Sequence, residues 1–152
     1  MKKVYISCPA SSRSGYGDHS RDLIRSLIDN ENLEVAILDQ KWGNCPTTAL
    51  TTEDKDITSR LLKDGTLPEQ PDIWIQVTVP NEFQAIGKYN IGITAGMETD
   101  LVSAEWLEGC NRMERIIVPS EHSKKAFEAS SYDRINKKSG NKEGELICTT
   151  PI

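Results

Sequence analysis

Gly92-Ile93-Thr94-Ala95-Gly96-Met97-Glu98-Thr99-Asp100, then Ser103-Ala104-Glu105-Trp106-Leu107-Glu108-Gly109-Cys110-Asn111, then Ile116-Ile117-Val118-Pro119-Ser120 follow one another in this chain of 152 residues. In order they read as a strand, an exposed turn, a helix, a second strand, and a turn that opens a further helix. An apolar run ends in small residues, and carboxylates follow where the chain leaves the sheet. In parallel α/β sheets ligands bind just beyond the carboxyl ends of the strands. Met97 to Asp100 is therefore the first place to look for a site.

Working outward, the same alternation recurs. Lys3 to Cys8 alternates around Val4 and Ile6 and reads as the first strand. Pro9 to Gly17 is a long Ser/Gly-rich loop, with Asp18 as the N-cap of a helix. That helix carries Leu23, Ile24, Leu27 and Ile28 on one side. Leu33 to Leu38 is a second strand, and Thr51 or Thr52 starts a helix from Glu53 to about Asp64. Asp72 to Val77 and Tyr89 to Thr94 are strands three and four. Ser103 caps a helix whose inner stripe holds Trp106, Leu107, Cys110 and Met113. Arg115 to Val118 is the fifth strand, and Ser120 caps a helix closed by Ala126 and Phe127. Strands alternating with helices predict one α/β domain over residues 1–152, a doubly wound parallel sheet with helices on both faces. From Ser130 to Glu145 the chain turns polar, with Arg134, Lys137, Lys138 and Lys142, and a mobile surface loop is expected. Leu146 to Thr149 begins a further strand.

Bulk properties exclude several classes. A net charge of -5 argues against a nucleic-acid binder, which would present a basic face. No stretch reaches the ~20 apolar residues of a membrane span, and the amino-terminal apolar run is too short for a signal peptide. The four cysteines are scattered and form no CxxC pair, so reduced thiols in a cytoplasmic protein are expected rather than zinc or a disulfide framework. The two histidines are far apart in sequence. No carboxylate cluster has ligand spacing, so neither a metal nor a cofactor is expected.

The candidate residues gather at the strand exits. Gly15-Tyr16-Gly17 precedes the first helix, where free N–H groups and the helix dipole favour an anion. Arg13 could meet a phosphate or carboxylate, and His19, with its near-neutral reference pKa, could act as a base. Gly15-x-Gly17-x-x-Ser20 nearly matches a dinucleotide fingerprint, with Asp39 at the end of the second strand. Six residues separate the first strand from Gly15, however, whereas the fingerprint follows its strand at once. Glu98 could accept hydrogen bonds from hydroxyls or, with a raised pKa, deprotonate one. Met97, Thr99 and Asp100 share its turn. Thr78 and Asn81 lie in the neighbouring exit loop, and Ser120 sits at a helix start on the same side.

The Glu98-Thr99-Asp100 turn, the helix with Trp106 and Cys110-Asn111, and Val118-Pro119-Ser120-Glu121 resemble a glycosyltransferase. The match is to the amino-terminal domain of enzymes with two Rossmann-like domains, the GT-B architecture, in the group 1 or family 4-like branch. It extends through Pro80-Asn81-Glu82-Phe83 and Tyr89-Asn90-Ile91-Gly92, and loosely to Ser14-Gly15-Tyr16-Gly17. The resemblance implies transfer of a sugar from a nucleotide-sugar donor to an acceptor hydroxyl, retaining and metal-free. Glu98 would be the catalytic carboxylate. Arg13, Gly15, Tyr16, Gly17, His19, Thr78, Asn81, Met97, Thr99, Asp100 and Ser120 would bind substrate. In the family a second, donor-binding domain follows. A fragment, a subunit needing a partner or a degenerate copy is therefore expected, with little activity of its own. A non-catalytic sugar- or anion-binding module and a nicotinamide-dinucleotide-binding domain are the alternatives.

Overall fold

Period-two alternation assigns each strand residue to one of two cores. In β1 (Lys2–Cys8) Val4, Ile6 and Cys8 enter one cluster while Tyr5 enters the other. In β3 (Ile73–Val77) Ile75 and Val77 join the first and Trp74 the second. A strand covered on both faces belongs inside a parallel sheet. The computed structural model, which describes residues 1–152, bears this out. β2 (Leu33–Asp39), β4 (Tyr89–Ile93) and β5 (Arg115–Ile117) complete a five-stranded parallel sheet in the order β2-β1-β3-β4-β5. The order reverses between β1 and β3.

Helices cover both faces. α1 (Gly15–Ile28) lays Ile24 on the first cluster, together with Ile57 from α2 (Lys55–Thr58). α3 (Ala104–Cys110) and α4 (Glu121–Ala129) bring Leu107, Cys110, Ala126 and Phe127 to the second. Burying such a side chain contributes about 1.5–3 kcal/mol. Trp106 is half-buried and stacks on Phe127, the ring centroids 6.0 Å apart. Ser103 and Ser120 cap their helices as expected, accepting from the N–H groups of Trp106 and Ser123.

Three expectations are corrected. The cap of α1 is Ser14, whose hydroxyl accepts from Gly17 N–H, rather than Asp18. Gly15-Tyr16-Gly17 is thus the first turn of the helix and not part of the loop. The helix expected over Glu53 to Asp64 shrinks to the single turn of α2. Leu61 instead bridges to Ile37 in parallel, and Leu62 N–H donates to the Ile37 carbonyl at 2.8 Å. The open edge of β2 outbids the helix for those backbone groups. Finally, residues 130–145 are no mobile loop. β6 (Ser131–Ile135) and β7 (Lys142–Ile147) form an antiparallel hairpin, reversing through a turn with Gly140 at a φ of 72°. The expected strand at Leu146 is the end of that hairpin. Beyond it the chain runs along the outer edge of β5, where the Pro151 carbonyl accepts from Ile116 N–H at 2.9 Å.

Candidate functional site

The clearest cavity, about 340 Å³, opens at the carboxyl ends of β3, β4 and β5, next to the point where strand order reverses. Val77, Ile93 and Ile117 form its floor, Val118 and Pro119 one side, and Gly15, Tyr16 and His19 of α1 the other. Trp42 closes it. Its walls are mostly apolar, and His19, which is exposed, is the only titratable side chain apart from Tyr16.

Tyr16 spans the cavity. Its hydroxyl accepts from Ala95 N–H at 3.0 Å and shares a hydrogen bond with the Thr94 hydroxyl at 3.3 Å. The first turn of α1 is thereby tied to the end of β4. The Tyr16 ring stacks on Trp42 at a centroid distance of 4.2 Å and an interplanar angle of 29°. Trp42 reaches this position on a turn in which Cys45 N–H donates to its carbonyl and Gly43 adopts a φ of 51°.

The loop between β1 and α1 is fastened along its length. Arg13 donates to the Thr48 hydroxyl (2.9 Å) and carbonyl (3.1 Å), pinning the segment that follows Trp42. Arg21 donates to the carbonyls of Ala10 (2.8 Å) and Ser12 (2.9 Å) and pairs with Asp18. A Cβ on Gly17 would lie 2.1 Å from the Ser12 carbonyl oxygen, whereas one on Gly15 would meet nothing within 4 Å. Gly17 is therefore required for close packing, and Gly15 is the open position at the cavity mouth. With Ser14 satisfying the Gly17 and Asp18 N–H groups, the orphan donors of α1 are those of Gly15 and Tyr16.

The other candidates divide by place. Gly15, Tyr16 and His19 line the cavity, while Arg13 and Gly17 build the loop behind it. Met97, Glu98, Thr99 and Asp100 stand outside the cavity lining, on the exposed segment that leaves β4. Met97 packs on the second core, and the Thr99 hydroxyl donates to the Leu101 carbonyl. No hydrogen bond or ion pair engages the Glu98 carboxylate. Thr78 is buried, its hydroxyl donating to the Glu82 carboxylate. Asn81 offers its carbonyl to Arg112 at 2.9 Å. Ser120 keeps its hydroxyl on the first turn of α4 and borders a separate shallow groove beside β5. The Asp39 carboxylate, the ribose acid of the dinucleotide alternative, accepts from the Ser11 N–H (3.0 Å) and hydroxyl. No cluster of three metal-ligating side chains occurs, and no helix is long and apolar enough to cross a membrane.

Trp42, Thr94, Ile117, Val118 and Pro119 are wall residues that sequence reasoning did not select. The strand-end positions were open to it in principle, since they sit where parallel strands terminate. Trp42 carried no such signal, lying in a long aperiodic loop. Comparison with known proteins finds no matching family model, no matching curated protein and no matching solved structure.

Proposed function

We propose that this chain is the acceptor-side half of a sugar-transferring enzyme, binding a hydroxyl-bearing ligand in the cavity above β3, β4 and β5. The observation that carries the reading is the Tyr16–Trp42 wall facing an apolar floor. Aromatic faces and aliphatic side chains bind the apolar body of a ligand, while a few placed polar groups fix its orientation. Here those groups are the hydroxyls of Tyr16 and Thr94, which already meet each other and can share a ligand hydroxyl. The acceptor is accordingly an alcohol or phenol with a substantial apolar face.

In this reading His19, at the rim, takes the proton from the attacking hydroxyl. Glu98, which the sequence resemblance makes the catalytic carboxylate, leaves the same strand end on the next loop and closes over the acceptor when a donor-bearing partner docks. The orphan N–H groups of Gly15 and Tyr16 would stabilise charge on a leaving diphosphate. The nucleotide-sugar donor itself is held by a second domain or subunit. A dinucleotide-binding role is less favoured, because the Asp39 carboxylate is already occupied by Ser11.

Titration calorimetry and thermal shift with a phenol or alkyl glycoside, a nucleoside diphosphate, a nucleotide sugar and a nicotinamide dinucleotide test the proposal. A ligand at 100 times its Kd adds about 2.7 kcal/mol to the native state. Stabilisation by the glycoside that is lost in Trp42→Ala is expected. Stabilisation by the dinucleotide alone, or glycoside binding indifferent to both Trp42→Ala and Tyr16→Ala, would overturn it.

A further inference from the structure

Two of the four cysteines, distant in sequence, meet on the face of the sheet opposite α1. Cys110 closes α3 and is fully buried. Cys148 follows β7 and is half-buried, and both belong to the second core cluster. The segment carrying Cys148 is moored to the end of α3 by several bonds. Asn111 donates to the Ile147 carbonyl (2.8 Å) and accepts from Thr149 N–H (2.8 Å). The Thr150 hydroxyl donates to the carbonyls of Cys110 (2.9 Å) and Met113 (3.0 Å). The Cys148 thiol itself donates to the Thr150 carbonyl at 3.5 Å, so one residue, Thr150, bonds both to this thiol and to the Cys110 backbone, and both cysteines pack in the same cluster.

We propose that Cys148 and Cys110 form a dithiol site that a hydroperoxide oxidises to a disulfide, fastening the segment after β7 to the end of α3. The two sulfurs have unequal roles. Cys148 is partly exposed, and the neighbouring Cys110 thiol holds its pKa below the ordinary thiol range. The proximity of Cys148, with burial, keeps the proton on Cys110. Thiolate character and access decide which cysteine reacts first. The Cys148 thiolate attacks one peroxide oxygen, the O–O bond breaks, and the departing oxygen takes a proton from water. Cys148 is then a sulfenic acid. The Cys110 sulfur attacks it, the S–O bond breaks, and the hydroxide leaves as water with the Cys110 proton. Two thiols lose two electrons, and the peroxide gains them.

The other two cysteines serve as internal controls. Cys8 is buried, with its thiol pushed up to about 12, and Cys45 is a half-buried free thiol. The folded chain is treated with hydrogen peroxide, alkylated, digested and mapped by mass spectrometry. A Cys110–Cys148 cross-linked peptide pair, reversed by dithiothreitol and retained in Cys45→Ser, is expected. Cys148 alkylation before oxidation should have its midpoint below that of an ordinary thiol, and Cys110→Ala should move that midpoint upward. Mapping of the unsubstituted chain decides the matter whether or not the variants fold. Both cysteines still free while Cys45 alone is oxidised, or the cross-link forming only after denaturation, would overturn the proposal.

Discussion

The loop entering α1 and the loop entering α3 leave β1 and β4, the strands on either side of β3, at the same end of the sheet, yet they are built differently. Pro9 to Ser14 is tied down throughout, by Arg21 on its carbonyls, by Asp39 on Ser11 and by Arg13 on the segment beside it. Ala95 to Ser103 is tied only at its two ends. Gly96 packs against Ser123 with a φ of 80°, and Val102 N–H donates to the buried Ser130 hydroxyl. Between these anchors Glu98, Thr99 and Asp100 stand in solvent. One loop is a finished wall, and the other is a wall awaiting whatever orders it. Local stability follows the density of such anchors, so the acidic turn is the segment free to move on ligand or partner docking.

The contrast can be broken most forcefully at Gly17. Gly17→Val drives a side chain into the Ser12 carbonyl and should cost roughly 3 kcal/mol in denaturant melts. A neutral result would mean that the first loop is no more fixed than the second. Next comes Gly96→Ala, where a Cβ would lie 2.3 Å from the Ser123 hydroxyl oxygen in a backbone conformation suited to glycine. A loss of about 2 kcal/mol is expected, confirming that the second loop has a fixed root. Tyr16→Phe removes the hydroxyl that joins the first turn of α1 to the start of the second loop. It should cost about 1 kcal/mol and raise hydrogen exchange at Ala95. Glu98→Gln should stay within about 0.5 kcal/mol of the parent. A larger loss would show the acidic turn to be part of the folded frame, and any role of Glu98 is to be sought in transfer with a donor-bearing partner.

Much of the fold was legible because local and global preferences agree. The runs Val4–Cys8 and Ile73–Val77 have the composition of doubly covered strands, and Ser103 and Ser120 stand where caps belong. The misreadings fall where tertiary contacts override local signals. Two glycines in one turn disfavour a helix by about 1 kcal/mol each, yet the Ser14 cap starts α1 there and the close Ser12 carbonyl leaves room only for glycine at 17. The stripe Ile57, Leu61, Leu62 has helical spacing, but the edge of β2 recruits its second half. The hairpin of β6 and β7 buries almost nothing except Leu146, so no hydrophobic pattern announced it. At the cavity, strand-end residues could be placed from topology, while Trp42 meets Tyr16 only through a turn that no periodicity encodes.

The hydrogen bond from Ile116 to Pro151 has a consequence for how these molecules behave at high concentration. An uncovered outer strand is a template on which a neighbouring chain can add its own backbone, and natural sheets blunt such edges. The segment after β7 lies over that edge at Ile116, where Pro151 accepts from β5. It occupies the place that a strand added from another molecule would need beside Ile116.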